Sequence, residues 1–279
     1  VDAYDSSGSA NDRVRLLGLS REDVIFQTLT RVEGNTTYYD LVIKITETGE
    51  SLTVINGLRS PNQGIASVEF GDGSSLSWEE IRQSGFHGTD GDDVIRLVSE
   101  AANVYGGQGN DHITGSHSKD ELYGGAGDDR LYGQSGNDIL DGGTGDDYLE
   151  GGNGSDTYIF RAGDGRDVIN NYDSTPSDDV LKVLDVGADG LWFEKSGGDL
   201  IINLVGSDDR ITINRWYSGG FYQIGLIEAG DSALVYNQVD QMVQAMAALG
   251  APGAADGGWT DEQRDALNPI LTTYWQPRV

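Results

Sequence analysis

The sequence predicts an all-β protein: a stack of short strands in the middle of the chain, flanked by two antiparallel β capping units, with short C-terminal helices. Three observations predict it. A nine-residue unit recurs in tandem from Gly88 onward. The segments on either side of the repeats resemble each other, apolar residue for apolar residue. Helical spacing is confined to the residues from Val239 onward.

The repeats read GTDGDDVIR (88–96), LVSEAANVY (97–105), GGQGNDHIT (106–114), GSHSKDELY (115–123), GGAGDDRLY (124–132), GQSGNDILD (133–141), GGTGDDYLE (142–150) and GGNGSDTYI (151–159). The sixth position is Asp in seven of the eight copies: Asp93, Asp111, Asp120, Asp129, Asp138, Asp147 and Asp156. The eighth is apolar or aromatic in all eight, from Ile95 to Tyr158. Repeat 97–105 keeps only the apolar position and has Ala102 where the others have Asp. A frame-shifted copy follows at 163–169, with Asp167 as its acidic residue. A Gly/Asp-rich linker has no reason to hold an apolar residue at every eighth position.

The last three residues of each unit predict a short strand with one side chain pointing inward. The first six predict a turn in which glycine permits positive φ. One unit alone buries almost nothing, so the units must stack. Stacking crowds the acidic turns, and their carboxylates repel unless a cation lies between them. Carboxylate and carbonyl oxygens, without nitrogen or sulfur, suit a hard divalent ion. Ca²⁺ fits better than Mg²⁺, which resists losing its water.

The GGxGxDxUx pattern of these copies resembles the nonapeptide of the RTX (repeats-in-toxin) proteins. The resemblance implies a calcium-bound parallel β-roll with two nonapeptides per turn. An ion would take the carbonyls of positions two and four and the Asp of one unit, with the carbonyls of positions one and three and the Asp of the unit two later. That joins Thr89, Gly91 and Asp93 to Gly106, Gln108 and Asp111. It joins Gly107, Gly109 and Asp111 to Gly124, Ala126 and Asp129, then Gly125, Gly127 and Asp129 to Gly142, Thr144 and Asp147. On the other side it joins Ser116, Ser118 and Asp120 to Gly133, Ser135 and Asp138, then Gln134, Gly136 and Asp138 to Gly151, Asn153 and Asp156. Gly143, Gly145 and Asp147 would meet the frame-shifted copy through Asp167. Ala102 leaves the ion between its repeat and 115–123 open.

The longer repeat aligns DRVRLLGLSREDVIF (12–26) with DVLKVLDVGADGLWF (179–193). DLVIKI (40–45) matches DLIINL (199–204), LTV (52–54) matches ITI (211–213), and VEFGD (68–72) matches IEAGD (227–231). Alternating apolar positions separated by Gly/Asp/Ser turns mark strands. The expected organisation is therefore a capping unit at 1–87, the roll at 88–169, a second capping unit at 170–236 and a tail at 237–279. The second unit is expected to close the open end of the roll, because uncovered strand edges and core are unfavourable. By symmetry the first would close another roll preceding residue 1. The start at Val1-Asp2-Ala3, without Met, reads as a cut within something longer.

In the tail, Val239, Met242, Val243, Met246 and Leu249 share one face of a helix. Thr260 and Gln263 predict a capping box opening a second short helix, with Trp259 just before it. The tail resembles the C-terminal export signal of type I secretion substrates, and it is expected to be dispensable for calcium-driven folding.

The 279 residues include 41 Gly, 46 acidic and 18 basic side chains, for a net charge of −28. Such a chain repels nucleic acid and anionic membranes. It has no cysteine, so no disulfide and no thiolate zinc site. No run of about 18 apolar residues is present to span a bilayer. His87, His112 and His117 are the only histidines, and HExxH, GxSxG and a Cys nucleophile are absent from the sequence. No enzyme activity is expected, and the tryptophans are expected in the caps' cores, with Tyr38, Tyr39 and Trp216 the aromatics to check for exposure.

The reading that follows is a non-catalytic module that folds on meeting extracellular calcium and supports type I secretion of a larger protein. The resemblance implies calcium ions and the type I apparatus as partners, a monomer, and a secreted or cell-surface location in a Gram-negative bacterium. Toxins and adhesins carry such segments. The alternative is an accessory ligand-binding tail, lectin-like or adhesin, of a secreted enzyme or toxin.

Overall fold

The computed structural model describes residues 13–33, 36–49, 51–54, 67–83, 85–97, 102–174, 178–252 and 258–278. The first flanking unit holds β1 (Arg13–Leu16), β2 (Val24–Glu33), β3 (Thr36–Ile45), β4 (Ser51–Val54), β5 (Ser67–Phe70), β6 (Ser75–Ser77) and α1 (Trp78–Gln83). The repeats form β7 (Phe86–His87), β8 (Val94–Arg96), β9 (Asn103–Gln108), β10 (His112–Thr114), β11 (Glu121–Ala126), β12 (Arg130–Ser135), β13 (Ile139–Thr144), β14 (Tyr148–Asn153), β15 (Thr157–Arg161) and β16 (Arg166–Ile169). The second unit and tail add β17 (Val180–Leu184), β18 (Leu191–Ser196), β19 (Asp199–Leu204), β20 (Arg210–Ile213), β21 (Leu226–Ala229), β22 (Ser232–Val235), α2 (Val239–Leu249), α3 (Asp261–Tyr274) and β23 (Gln276–Pro277).

Successive nonapeptides alternate between two sheets, and the strands within each sheet stack in parallel at an 18-residue offset. Ile113 pairs with Leu131 and Leu131 with Leu149 in one sheet; Leu122 pairs with Leu140 and Leu140 with Tyr158 in the other. Two nonapeptides therefore make one turn of a β-roll. The eighth-position side chains form its interior, from Ile95 to Tyr158, each at most 2% exposed. The first roll strand begins two residues before Gly88: Phe86 pairs with Val104 at the same offset and fills the eighth-position site of an otherwise unrelated segment.

The long repeat reappears as topology. In the first unit β1 pairs with β5 in parallel and β5 with β6 antiparallel, while β2, β3 and β4 form an antiparallel meander. In the second, β17 pairs with β21 in parallel and β21 with β22 antiparallel, while β18, β19 and β20 form the meander. Even the turn after the first strand repeats: Gly18 and Asp185, aligned in sequence, both adopt positive φ, +84° and +62°. The antiparallel hairpins expected from the sequence are thus joined by parallel strands. The reason lies in the roll: β17 pairs with β15, and β20 with β16, both in parallel, so the second unit extends both roll sheets. Its core is continuous with the roll's. The first unit has a separate core around Val14, Phe26, Leu41, Ile43 and Ile81, which meets the roll core at Leu97.

The tail packs against the second unit. Val239, Met242 and Met246 on α2 are fully buried, and Leu267 and Trp275 bury against the same core. The Phe193 amide on β18 donates to Met246 Sδ at 3.1 Å. Trp259 packs on Trp192 with ring centroids 5.5 Å apart and donates its indole N–H to the Asp189 carbonyl. The capping box at Thr260 forms as expected. The tail is therefore packed into the core of the second unit. Trp216 is buried as well, so it offers no exposed ring; the side chains of Tyr38 and Tyr39 lie outside the described ones. Among the described residues no helix is long and apolar enough to cross a membrane.

Candidate metal centre

Two ladders of aspartates run along the two edges of the roll where the turns stack. On one, the amide of Asp93 donates to Asp111 Oδ1, Asp111 to Asp129, Asp129 to Asp147 and Asp147 to Asp167, at 2.7 to 3.1 Å. On the other, Ala102 donates to Asp120 Oδ1, Asp120 to Asp138, Asp138 to Asp156 and Asp156 to Asp179, each at 2.8 Å. Each carboxylate thus spends one oxygen on the turn before it. The other oxygen, Oδ2, is buried with no hydrogen-bond partner in Asp111, Asp129, Asp138, Asp147, Asp156 and Asp167. A buried polar atom without a partner is costly, and here the same atom is orphaned in six ladder aspartates across the two edges.

Glycine leaves the carbonyls of the same turns unobstructed. Gly107, Gly109, Gly125, Gly127, Gly143 and Gly145 all have φ between +92° and +140°. A Cβ on Gly125 would lie 2.1 Å from the Gly107 carbonyl oxygen, and one on Gly127 would lie 2.1 Å from that of Gly109. The stack therefore holds rows of backbone oxygens, at positions two and four, in contact with glycine Cα atoms where no side chain fits. Carbonyl oxygens and orphaned carboxylate oxygens in alternation are the donor set of a hard divalent cation, and Ca²⁺ accepts the six to eight oxygens such turns offer. Among the described residues no three acidic or histidine side chains form a metal cluster on their own; the donors here are chiefly backbone.

Burial raises the ladder carboxylates above the usual range. Asp111 and Asp129 are pushed up to about 6, Asp147 and Asp156 to about 7, Asp138 to about 8 and Asp167 to about 9. Desolvation is the leading cause at each, and neighbouring aspartates add to it. The protein without metal therefore favours protons on groups that a cation would hold ionised.

The structure gathers the residues predicted from sequence along these two edges. Thr89 and Ser116, at position two of the leading turns, differ from glycine in a useful way. Their hydroxyls donate to Asp93 Oδ2 at 2.9 Å and to Asp120 Oδ2 at 3.0 Å, so the end carboxylates gain protein partners. Gln134 takes the place of glycine with φ +80°. Ala102 supplies an amide but no carboxylate, and the turn before it, 98–101, lies outside the described residues. Asp167 occupies the sixth position of its edge, as expected, at a 20-residue offset. Of the histidines, His87 stacks on Tyr105 at 4.8 Å, His112 is half-buried and His117 is exposed.

Two features escaped the sequence reading. Position five forms a second ladder in the opposite sense, the amides of Asn110, Asp128, Asp146 and Arg166 donating to Asp92, Asn110, Asp128 and Asp146. Asp179 completes the second edge, and Val180 donates to the Asp156 carbonyl as a seventh-position residue does elsewhere. The signal was present in Asp179-Val180-Leu181, which repeats the Asp-x-apolar end of a nonapeptide.

Residues 101–131 and 123–158 match the family described as the RTX calcium-binding nonapeptide repeat. The repeats are RTX calcium-binding repeats. Their cofactor is Ca²⁺, which the oxygen donors suit. Residues 40–80 and 199–228 both match a second family, the haemolysin-type calcium binding protein related domain. The two matches fall on equivalent strands of the two flanking units, so both copies of the long repeat carry the same unit beside the RTX roll. Among solved structures, the extracellular lipase LipA from Serratia marcescens is similar at 18% identity and a TM-score of 0.30, over 72% of this chain and 30% of the lipase. The chain thus spans under a third of that protein's length.

Proposed function

We propose that the chain is a non-catalytic calcium-binding module of a larger secreted protein, folding when its repeats meet extracellular calcium. The observation that carries this reading is the row of buried Asp Oδ2 atoms without partners. In this reading the carbonyls of positions two and four and the Asp of one turn face the carbonyls of positions one and three and the Asp of the next turn on the same edge. Bound calcium supplies the positive charge that lets these carboxylates stay ionised and buried. Where free calcium is far below the roughly 10⁻⁴–10⁻³ M of extracellular modules, the carboxylates repel and the turns stay apart. The chain then suits export unfolded through a type I apparatus, tail first, with folding outside opposing return. Far-UV circular dichroism of the full chain at neutral pH, in chelator and then in calcium, tests the folding step. A full β spectrum in chelator overturns it. Secretion that is unaffected by chelating external calcium, or by deleting 237–279, overturns the export role.

The first flanking unit is proposed to cap a further roll in the same protein. In the second unit the outer edges of β17 and β20 receive β15 and β16. Among the described residues the equivalent edges of β1 and β4 have no strand beside them. Between them lies a cleft of about 540 Å³ lined by Leu16, Leu17, Leu19, Ile43 and Leu52, with Leu17 84% exposed. The end of a nonapeptide roll is the shape and chemistry that the equivalent surface already takes. Nonapeptides encoded just upstream of residue 1 support this reading, and a gene without them overturns it. The ligand-binding alternative lacks comparable support, since Trp216 is buried.

A further inference from the structure

We propose that Met246 is an oxidation site that decides whether α2 can close on β18: a hydroperoxide that reaches its thioether before the chain folds blocks the closure, and a chain that folds first is protected. The chain has two methionines, Met242 and Met246. They lie four residues apart on α2, on one face. Both are fully buried, in the core that the roll and the second unit share.

Met246 does more than fill space. Among the described residues β18 has a strand, β19, on one side alone. Alternate amides of such an edge strand point away from its neighbour and need another acceptor. The Phe193 amide turns to the open side, is buried there, and donates to Met246 Sδ at 3.1 Å. A thioether is a weak acceptor, yet without it this donor would be buried with no partner. The tail's aromatic rings close on the same strand: Trp275 meets Phe193 edge-on at 6.2 Å and Trp259 meets Trp192 at 5.5 Å between centroids. The sulfur is thus part of the seam by which the tail holds β18.

In the oxidation a sulfur lone pair attacks the terminal oxygen of the hydroperoxide. The S–O bond forms and the O–O bond breaks. The proton of the transferred oxygen passes to the leaving oxygen, which departs as water or an alcohol. Sulfur loses two electrons and the peroxide gains them. The product is a polar sulfoxide, one oxygen larger. Sulfur and the Phe193 nitrogen are 3.1 Å apart, so no oxygen fits between them. α2 must then either move off β18 or bury a polar group in an overfilled core, and both are unfavourable. Folding sets the access. In the folded chain Met246 is shielded from solvent; in the unfolded chain it is open. This timing rests on the proposed reading that calcium drives folding. A methionine sulfoxide reductase acting on the unfolded chain restores the thioether.

The test treats the full chain with hydrogen peroxide in chelator and, separately, in saturating calcium, and follows Met246 by peptide mass mapping. Oxidation is expected to be slower in calcium by about tenfold or more, since a buried site reacts only through local opening. The chain oxidised in chelator and then given calcium is expected to show a weakened near-UV tryptophan signal and a thermal midpoint lower by about 5–10 °C. Met242→Leu should lose the midpoint on oxidation as the wild type does. Met246→Leu, which keeps the bulk but has no sulfur, should have the same midpoint with and without peroxide. Met246→Gln, polar and of like length, should reproduce the loss without oxidant. A wild-type chain with Met246 sulfoxide confirmed and an unchanged midpoint overturns the proposal, as does an equal peroxide-induced loss in Met246→Leu. Equal oxidation rates in chelator and calcium overturn the protection. If Met246→Leu does not fold, reversal of the wild-type loss by sulfoxide reductase decides instead. A chain already folded in chelator overturns the calcium reading, and the same comparison is then made after oxidation in urea.

Discussion

The amide of Asp129 donates to Asp147 Oδ1 at 2.8 Å, while Asp147 Oδ2 is buried without a partner. One side chain thus joins two turns and leaves an acceptor facing the space between them. Interior aspartates serve neighbours on both sides, whereas Asp93 is at the end of the ladder and its Oδ2 already accepts from Thr89.

Asp129→Ala is therefore expected to raise the calcium midpoint of folding about tenfold or more, given roughly 1.5–3 kcal/mol for a charge-assisted bond. Asp93→Ala should move it by about threefold or less. Equal midpoints in calcium titrations followed by circular dichroism would refute the bridging role.

The pH dependence follows from the raised carboxylates. An unfolded aspartate titrates near 4, whereas those buried in the metal-free fold titrate from about 6 at Asp111 to about 9 at Asp167. Between these values the fold binds protons that the unfolded chain has released. The metal-free fold is thus favoured below about pH 4 and loses stability as pH rises through 6 to 9. In chelator the β signal should fall over that range and return on adding calcium at pH 8. Calcium should bind more weakly as pH drops from 9 to 6, because protons compete for the same oxygens. A chelated chain that gains structure with rising pH would contradict both statements.

Glycine geometry makes a paired prediction. Gly125→Ala places a Cβ 2.1 Å from the Gly107 carbonyl oxygen at φ +118°. It should destabilise the calcium-bound roll by about 2 kcal/mol or more. Gln134→Gly relieves a side chain held at φ +80° and should stabilise by up to about 1 kcal/mol, the gain trimmed by glycine's freer unfolded chain. Thermal midpoints in saturating calcium measure both.

Truncation at Tyr236 should unfold the second unit even in calcium, because it strips α2 from β18. Met246→Ala alone, at a fully buried position, should cost about 2–5 kcal/mol. A truncated chain that keeps the wild-type calcium transition would show that β18 tolerates exposure.

Much of this architecture is periodic, and periodicity is what a sequence displays. The interior row from Ile95 to Tyr158 and the aspartate ladder follow from one side chain recurring at one place in a nine-residue unit, stacked at an offset of 18. The duplicated units were legible for the same reason, as matched apolar alternation. Where the period ends, legibility fell: Asp167 was still found through its frame-shifted copy, whereas Asp179 was missed. Asp167 follows Asp147 by 20 residues and Asp179 follows Asp156 by 23. Longer loops carry the chain back into register there, and only the folded stack decides where they return. Tertiary structure likewise decided that β17 and β20 continue the roll sheets, and that α2 covers β18, the strand aligned with β2. Equivalent strands, β2 and β18, face a new roll in one copy and a helix in the other. The apolar pattern of a strand specifies that a face must be covered, but it does not specify by what; the choice belongs to the chain that follows.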